Sequence, residues 1–148
     1  MARKLLYVIA DGGRARFVEQ SADTGAFVTI EEMDNTAALK ALRDELRSDS
    51  PGRTHESQGD RRSAVGPDDL AEPLKEAFMV EVAKRAGDTL RRLDCEGFVV
   101  AAPSQLIGEL RDELASRAMV VAEFGKDLTK APDHDLGAWF SHPQTPHA

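Results

Sequence analysis

A chain of 148 residues with 26 acidic and 19 basic side chains carries a net charge of −7, which argues against a broad nucleic-acid or membrane-surface footprint while leaving room for a local basic patch. Its 41% hydrophobic and 30% charged residues fit one globular domain with a real core, and the single cysteine, Cys95, excludes an internal disulfide and any multi-cysteine metal site. No segment is long enough to span a bilayer. The apolar run Leu5 to Ala10 is too short for a signal peptide and lacks a cleavage pattern, so cytoplasmic residence is the expectation.

In chain order, Leu5 to Ala10 is continuously apolar and reads as a buried central strand. Asp11-Gly12-Gly13 is a turn signal. Arg14 to Glu19 follows as a hairpin partner, with Ala15 and Phe17 apolar, Val18 less cleanly so, and charges between. A second turn, Ser21 to Gly25, leads to a third strand from Ala26 to Glu31. The first third is therefore read as an antiparallel meander.

From Asn35, Leu39, Leu42 and Leu46 recur at helical spacing until Ser50-Pro51-Gly52. A polar loop is expected from Pro51 to Gly66, within wider bounds of 48–68. Asp68 and Asp69 are candidate caps for a long helix, with Pro73 placed in its first turn. Leu70, Leu74, Phe78, Val82, Ala86, Leu90 and Leu93 form its apolar stripe, to be packed on a sheet.

Gly97 breaks that pattern. Phe98 to Ala102 reads as another buried strand, Ser104 as the cap of a helix carrying Leu106, Ile107, Leu110 and Leu114, and Met119 to Phe124 as the last strand. This strand–helix–strand unit predicts a parallel pair. Asp133 to Phe140 reads as a short helix that docks Leu136, Trp139 and Phe140. Residues 141–148 read as a flexible tail. The expected fold is α/β: a single domain over 1–140 with a mixed sheet of about five strands, a three-strand meander plus a βαβ unit.

P-loop, dinucleotide-binding, zinc-protease and nucleophile-elbow signatures are absent. His55, His134, His142 and His147 have no metal-ligand spacing, and no metal or cofactor is expected. Cys95 reads as a half-buried small hydrophobe. Asp11 at a strand end is a candidate metal carboxylate, but Asp before Gly-Gly is what a hairpin turn asks for, and the turn is favoured.

The 51–66 loop carries the strongest candidate site. Arg53, Arg61 and Arg62 can each fork two hydrogen bonds to a phosphate or carboxylate. Gly52 and Gly59 permit close backbone approach, and Ser57 and Ser63 add hydroxyls. Glu56, Asp60, Asp68 and Asp69 are near enough in sequence to neutralise the arginines, so a self-paired loop and an anion- or RNA-binding loop are both open. The run Gly125 to Lys130 follows a parallel strand, where ligands conventionally bind, so Lys130 joins the candidates, although a polar turn reads the same way.

These pieces, in order, resemble the family of proteins required for attachment to host cells. The resemblance rests on Tyr7-Val8-Ile9-Ala10-Asp11-Gly12-Gly13-Arg14-Ala15-Arg16, Ser50-Pro51-Gly52-Arg53, Glu56-Ser57, Arg62-Ser63-Ala64-Val65, Val100-Ala101-Ala102-Pro103, Gly108-Glu109-Leu110-Arg111 and Lys126-Asp127-Leu128-Thr129-Lys130. That family is similar to the central domain of archaeal and eukaryotic peptide-chain release factors. The resemblance implies a ribonuclease H-like fold, and a loop at 51–66 where release factors carry a Gly-Gly-Gln tip. Here Asp60, Arg61 and Arg62 precede Ser63, so the hydrolytic tip is missing. The functional expectation is a non-enzymatic, intracellular binding or regulatory protein of the attachment type, with protein partners. The alternative is RNA or ribosome binding through Arg53, Gly59, Arg61, Arg62, Ser63 and Lys130, without hydrolysis.

Overall fold

The computed structural model describes residues 4–52 and 67–141. Five strands form one mixed sheet: β1 (Leu5–Ala10), β2 (Arg14–Gln20), β3 (Phe27–Asp34), β4 (Gly97–Ala101) and β5 (Met119–Phe124), in the order β3-β2-β1-β4-β5. β1 to β3 form the expected antiparallel meander, with Tyr7 opposite Val18 and Val18 opposite Thr29. β1 and β4 pair in parallel with Val8 opposite Val100, and β4 pairs in parallel with β5.

The central strands are continuously apolar because both faces of the sheet are covered. Leu6, Val8, Phe98 and Val100 point to one face, and Tyr7, Ile9, Val99 and Ala101 to the other. The same alternation explains why Phe17 and Val18 are both apolar: they serve opposite faces. On β3 the register shifts between Phe17 and Val18, leaving Ile30 as an extra residue between the pairs Phe17–Glu31 and Val18–Thr29.

Helix α1 (Thr36–Gly52) follows β3, α2 (Pro67–Leu93) precedes β4, and α3 (Ser104–Ala115) connects β4 to β5. On α2, Phe78, Val82, Ala86 and Leu90 are buried as the stripe predicts, and Met79 and Ala83 widen it. With Leu106, Leu110 and Leu114 of α3 they close the first face. The second face is covered by α4 (Asp133–Phe140) and the segment 125–132, through Leu128, Leu136, Trp139 and Phe140. There Tyr7, Phe27, Phe124 and Phe140 form an edge-packed aromatic group with ring centroids 4.8 to 5.5 Å apart.

Several expectations are corrected. β3 runs on to Asp34, three residues beyond Glu31, because Ile30 and Met33 still find the first core. α1 includes Pro51 and ends on Gly52, and α2 starts at Pro67, so the outer parts of the 48–68 loop are helical. Asp68 and Asp69 lie inside α2 rather than capping it. Pro67 takes the first position, where a missing N–H is harmless, and Pro73 falls beyond the first turn. Ser104 is likewise inside α3: Pro103 occupies the cap position, and no side chain caps the helix. Cys95 is buried rather than half-buried, and burial pushes its thiol pKa up. The side chains of Leu46 and Leu70, the expected loop over 53–66 and the tail from 142 lie outside the described residues.

Gly97 has a structural reason. A Cβ there would meet the Met119 carbonyl oxygen at 2.8 Å, so the close approach of β4 to β5 requires glycine.

Candidate functional site: a cleft at the carboxyl ends of the parallel strands

β1 and β4 run side by side and end at the same edge of the sheet. Beyond that edge the chain departs in opposite directions, from β1 into the hairpin with β2 and from β4 through Pro103 into α3. Such a switch point leaves a crevice between the two connections. Here it is a cleft of about 500 Å³, walled by the Asp11-Gly12-Gly13-Arg14 turn, the start of α1, the early part of α2, the start of α3 and Lys130.

The turn is held by its own carboxylate. Asp11 Oδ1 accepts hydrogen bonds from the Gly13 and Arg14 N–H groups, each at 2.8 Å, and the Asp11 N–H donates to the Arg14 carbonyl at 2.8 Å. Asp11 Oδ2 lies 3.2 Å from the Thr129 hydroxyl. Asp11 is thus a turn residue, as its Gly-Gly context indicates. Among the described residues no group of three His, Cys, Asp or Glu side chains is placed to hold a metal ion. The glycines admit neighbouring helices. A Cβ on Gly12 would meet the aliphatic stem of Lys75 at 3.0 Å, and one on Gly13 would meet Leu39 and Thr36 at 3.0 Å.

Among the described residues, three cationic side chains line the cleft: Arg14, Lys75 and Lys130. Arg14 lies 3.7 Å from Asp34, and Lys75 lies 3.4 Å from Glu72. Both are long, partly solvated pairs of the kind that contribute little. Asp34 itself is held below its ordinary carboxylate range by hydrogen bonds from the Thr36 hydroxyl and N–H. Lys130 makes no ion pair among the described residues. Pro103, Gln105 and Leu106 bring the uncapped N-terminus of α3 to the same cleft, with no acidic residue in its first turn. The open N–H groups of that turn add a positive partial charge.

Behind the cleft, the segment 125–132 is fastened to β2. Arg16, one of the charges between the apolar residues of β2, is nearly buried on the second face. Its guanidinium donates to the Leu128 carbonyl at 2.8 Å, to the Ala131 carbonyl, and to Asp133 at 3.3 Å. Asp133 also accepts from the Thr29 hydroxyl at 2.7 Å and the Thr29 N–H at 3.1 Å. The Thr29 hydroxyl is the main cause that lowers the Asp133 pKa, with Arg16 adding to it. Thus Arg16 and Asp11, from the opening motif, both contact the run that ends in Lys130.

Of the sequence-predicted site residues, Lys130 lines the cleft. Arg53, Gly59, Arg61, Arg62 and Ser63 lie outside the described residues. His134 is exposed beside Asp135, and the other three histidines are outside the described residues. Lys75, Gln105 and the cleft-facing role of Arg14 escape sequence reasoning. Lys75 sits off the apolar stripe of α2 and reads as ordinary solvated charge. The missing signal is the pairing of β1 with β4, which locates the switch point and so the side chains around it.

The description "Protein required for attachment to host cells" matches residues 6–138, most of the chain. A search of curated proteins finds no match. Among solved structures, the chain is similar to the Aquifex aeolicus Ppx/GppA phosphatase (type II variant), at 11% identity and a TM-score of 0.44. That similarity covers 83% of this chain and 35% of the phosphatase, so the chain spans about a third of that protein's length.

Proposed function

Because the chain belongs to the family of proteins required for attachment to host cells, we propose that it is a non-enzymatic, intracellular binding or regulatory protein of the attachment type. It acts by taking a ligand into the cleft between the Asp11–Arg14 turn and the start of α3. The observation that carries this reading is the convergence of Arg14, Lys75 and Lys130 on one 500 Å³ cleft at a topological switch point. The turn carboxylate, Asp11, gives its Oδ1 to two backbone N–H groups, which supports a structural role for it. The strand order β3-β2-β1-β4-β5 with β2 reversed supports the ribonuclease H-like reading.

The test is complementation. A deletion strain of the source organism is supplied with the wild-type chain or with Lys75→Ala/Lys130→Ala, and host-cell attachment is counted beside a cell-fractionation blot. Wild type is expected to restore attachment from the intracellular fraction. The double variant, present at equal level, is expected not to. Full restoration by the double variant overturns the cleft, and recovery of the wild-type protein on the cell exterior overturns the intracellular reading.

RNA or ribosome binding remains the second reading, favoured by one placement. Glu72 and Lys75 line the cleft within the first three turns of α2, the helix that follows the arginine-bearing residues 53–66. Ribosome co-sedimentation across a salt series tests it with an Arg61→Ala/Arg62→Ala variant. Phosphate contacts weaken steeply with salt, and absence of co-sedimentation at low salt rejects this reading.

A further inference from the structure

We propose that the cleft binds a small phosphomonoester, with its phosphate between Lys75, Lys130 and the N-terminus of α3. This inference rests on the cleft being the binding site, and it adds the chemical class of what binds. Three independent features converge there. First, Lys130 brings a cation that makes no ion pair among the described residues. Second, Lys75 is held over the turn by its aliphatic stem, which packs where Gly12 has no Cβ. Its ammonium is only loosely paired with Glu72, at 3.4 Å, and an anion of higher charge density displaces such an exposed partner. Third, α3 is a 12-residue helix that no side chain among the described residues caps and whose first turn holds no acid. Its open N–H groups at the cleft wall form an anion site of the kind that helix N-termini provide.

The carboxylates in the cleft do not cancel this. Asp11 has its charge partly offset by two backbone N–H donors to Oδ1, while the Thr129 hydroxyl is closer to Asp127 Oδ1, at 2.5 Å, than to Asp11 Oδ2, at 3.2 Å. Glu72 is already opposed by Lys75. The ligand's size and second half follow from the remaining walls. A bare phosphate fills a small part of about 500 Å³, and Leu39, Pro103 and Leu106 give the rest an apolar lining. An organic group attached to the phosphate accounts for both the charge and the apolar space.

The closing experiment is calorimetric titration of the full chain with inorganic phosphate, AMP, adenosine and a short single-stranded RNA. Phosphate is expected to bind weakly, AMP at least roughly tenfold more tightly, and adenosine not measurably. AMP binding is expected to fall at least roughly tenfold in Lys75→Ala/Lys130→Ala and further in Lys130→Glu, each checked for native circular dichroism. Lys126→Ala, whose ammonium lies over the Trp139 ring instead, is the control expected to bind AMP unchanged. Adenosine binding as well as AMP overturns the phosphate while leaving the cleft a binding site. Loss of AMP binding in the control but not in the cleft variants, or no binding of either phosphate or AMP, overturns the inference. In those cases the attachment assay decides separately whether the cleft has any function. RNA binding to the exclusion of AMP overturns it in favour of the ribosomal reading. Release of inorganic phosphate from AMP would leave the inference standing and remove the non-enzymatic reading.

Discussion

The two faces of the sheet are closed in different ways, although the same two central strands feed both. On the first face, α2 and α3 lay apolar stripes across Leu6, Val8, Phe98 and Val100, and the contacts there are mainly hydrophobic, with one polar cluster at the β3 side where Glu31 meets Arg85, Thr89 and Arg92 of α2. On the second face the cover is a helix of eight residues and the segment leading to it. So short a helix is not stable alone. It is fastened by Arg16, which reaches across β2 to two carbonyls and Asp133, while Thr29 holds Asp133 from β3. A continuous stripe closes a face by area. A short cover needs directional, charge-assisted bonds as well. The lesson bears on function because the cleft draws on both: Lys75 comes from the first cover and Lys130 from the second.

If the first face is the main source of stability, Leu110→Ala has the largest effect. Leu110 is fully buried against α2 and the sheet, and its truncation is expected to cost about 4 kcal/mol in denaturant unfolding. A loss below that of Leu136→Ala on the second face would break the ranking.

Arg16→Met comes next, at about 2–3 kcal/mol, since it leaves the Leu128 and Ala131 carbonyls and Asp133 without their donor. Hydrogen exchange should accelerate over 125–140 with little change in α2 and α3, as expected of a locally opening unit. Uniform acceleration across the chain would mean that the two covers do not open separately.

A smaller effect appears in acid. The Asp133 carboxyl is depressed in the folded protein, so its contribution is complete above the unfolded value of about 3.9 and is lost as pH falls through the lower folded value. Urea unfolding of wild type and Asp133→Asn from neutral to acidic pH should therefore show wild type losing more stability in that window. Parallel curves would reject the role of this carboxylate. Glu31 on the first face behaves in the same direction. Burial raises its pKa, but hydrogen bonds from Arg85 and Thr89 outweigh that and hold it low.

The smallest expected change in stability is that of Lys75→Ala/Lys130→Ala, within about 0.5 kcal/mol by thermal unfolding, as for surface charges. A larger loss would mean that these lysines fasten the covers together rather than serve the cleft.

The elements were legible where one residue pattern served one surface. The four-residue stripe of α2, the apolar runs of β1 and β4 and the 133–140 helix all follow that rule. Boundaries failed where backbone chemistry competed. Pro67 starts α2 as well as Asp68 or Asp69 would cap it, and Pro103 displaced Ser104 from the cap of α3. The burial of Arg16 is not legible in the sequence, because alternation assigns a residue to a face without saying whether that face is wet. Its face became dry only when α4, more than a hundred residues away, folded onto it.

The candidate site divides in the same way. Lys130 could be chosen from sequence because it follows an apolar run, where ligands often bind. Lys75 and the open end of α3 could not, since nothing local sets them apart from solvated charge and an ordinary helix start. Sequence alone determined the element types, the two-sided burial of the central strands and the family, because these depend on periodicity and ordered motifs. Tertiary structure decided that β1 lies beside β4. Long-range pairing depends on which surfaces remain to be buried once the helices are in place. That pairing brought the turn, α2, α3 and Lys130 to one cleft.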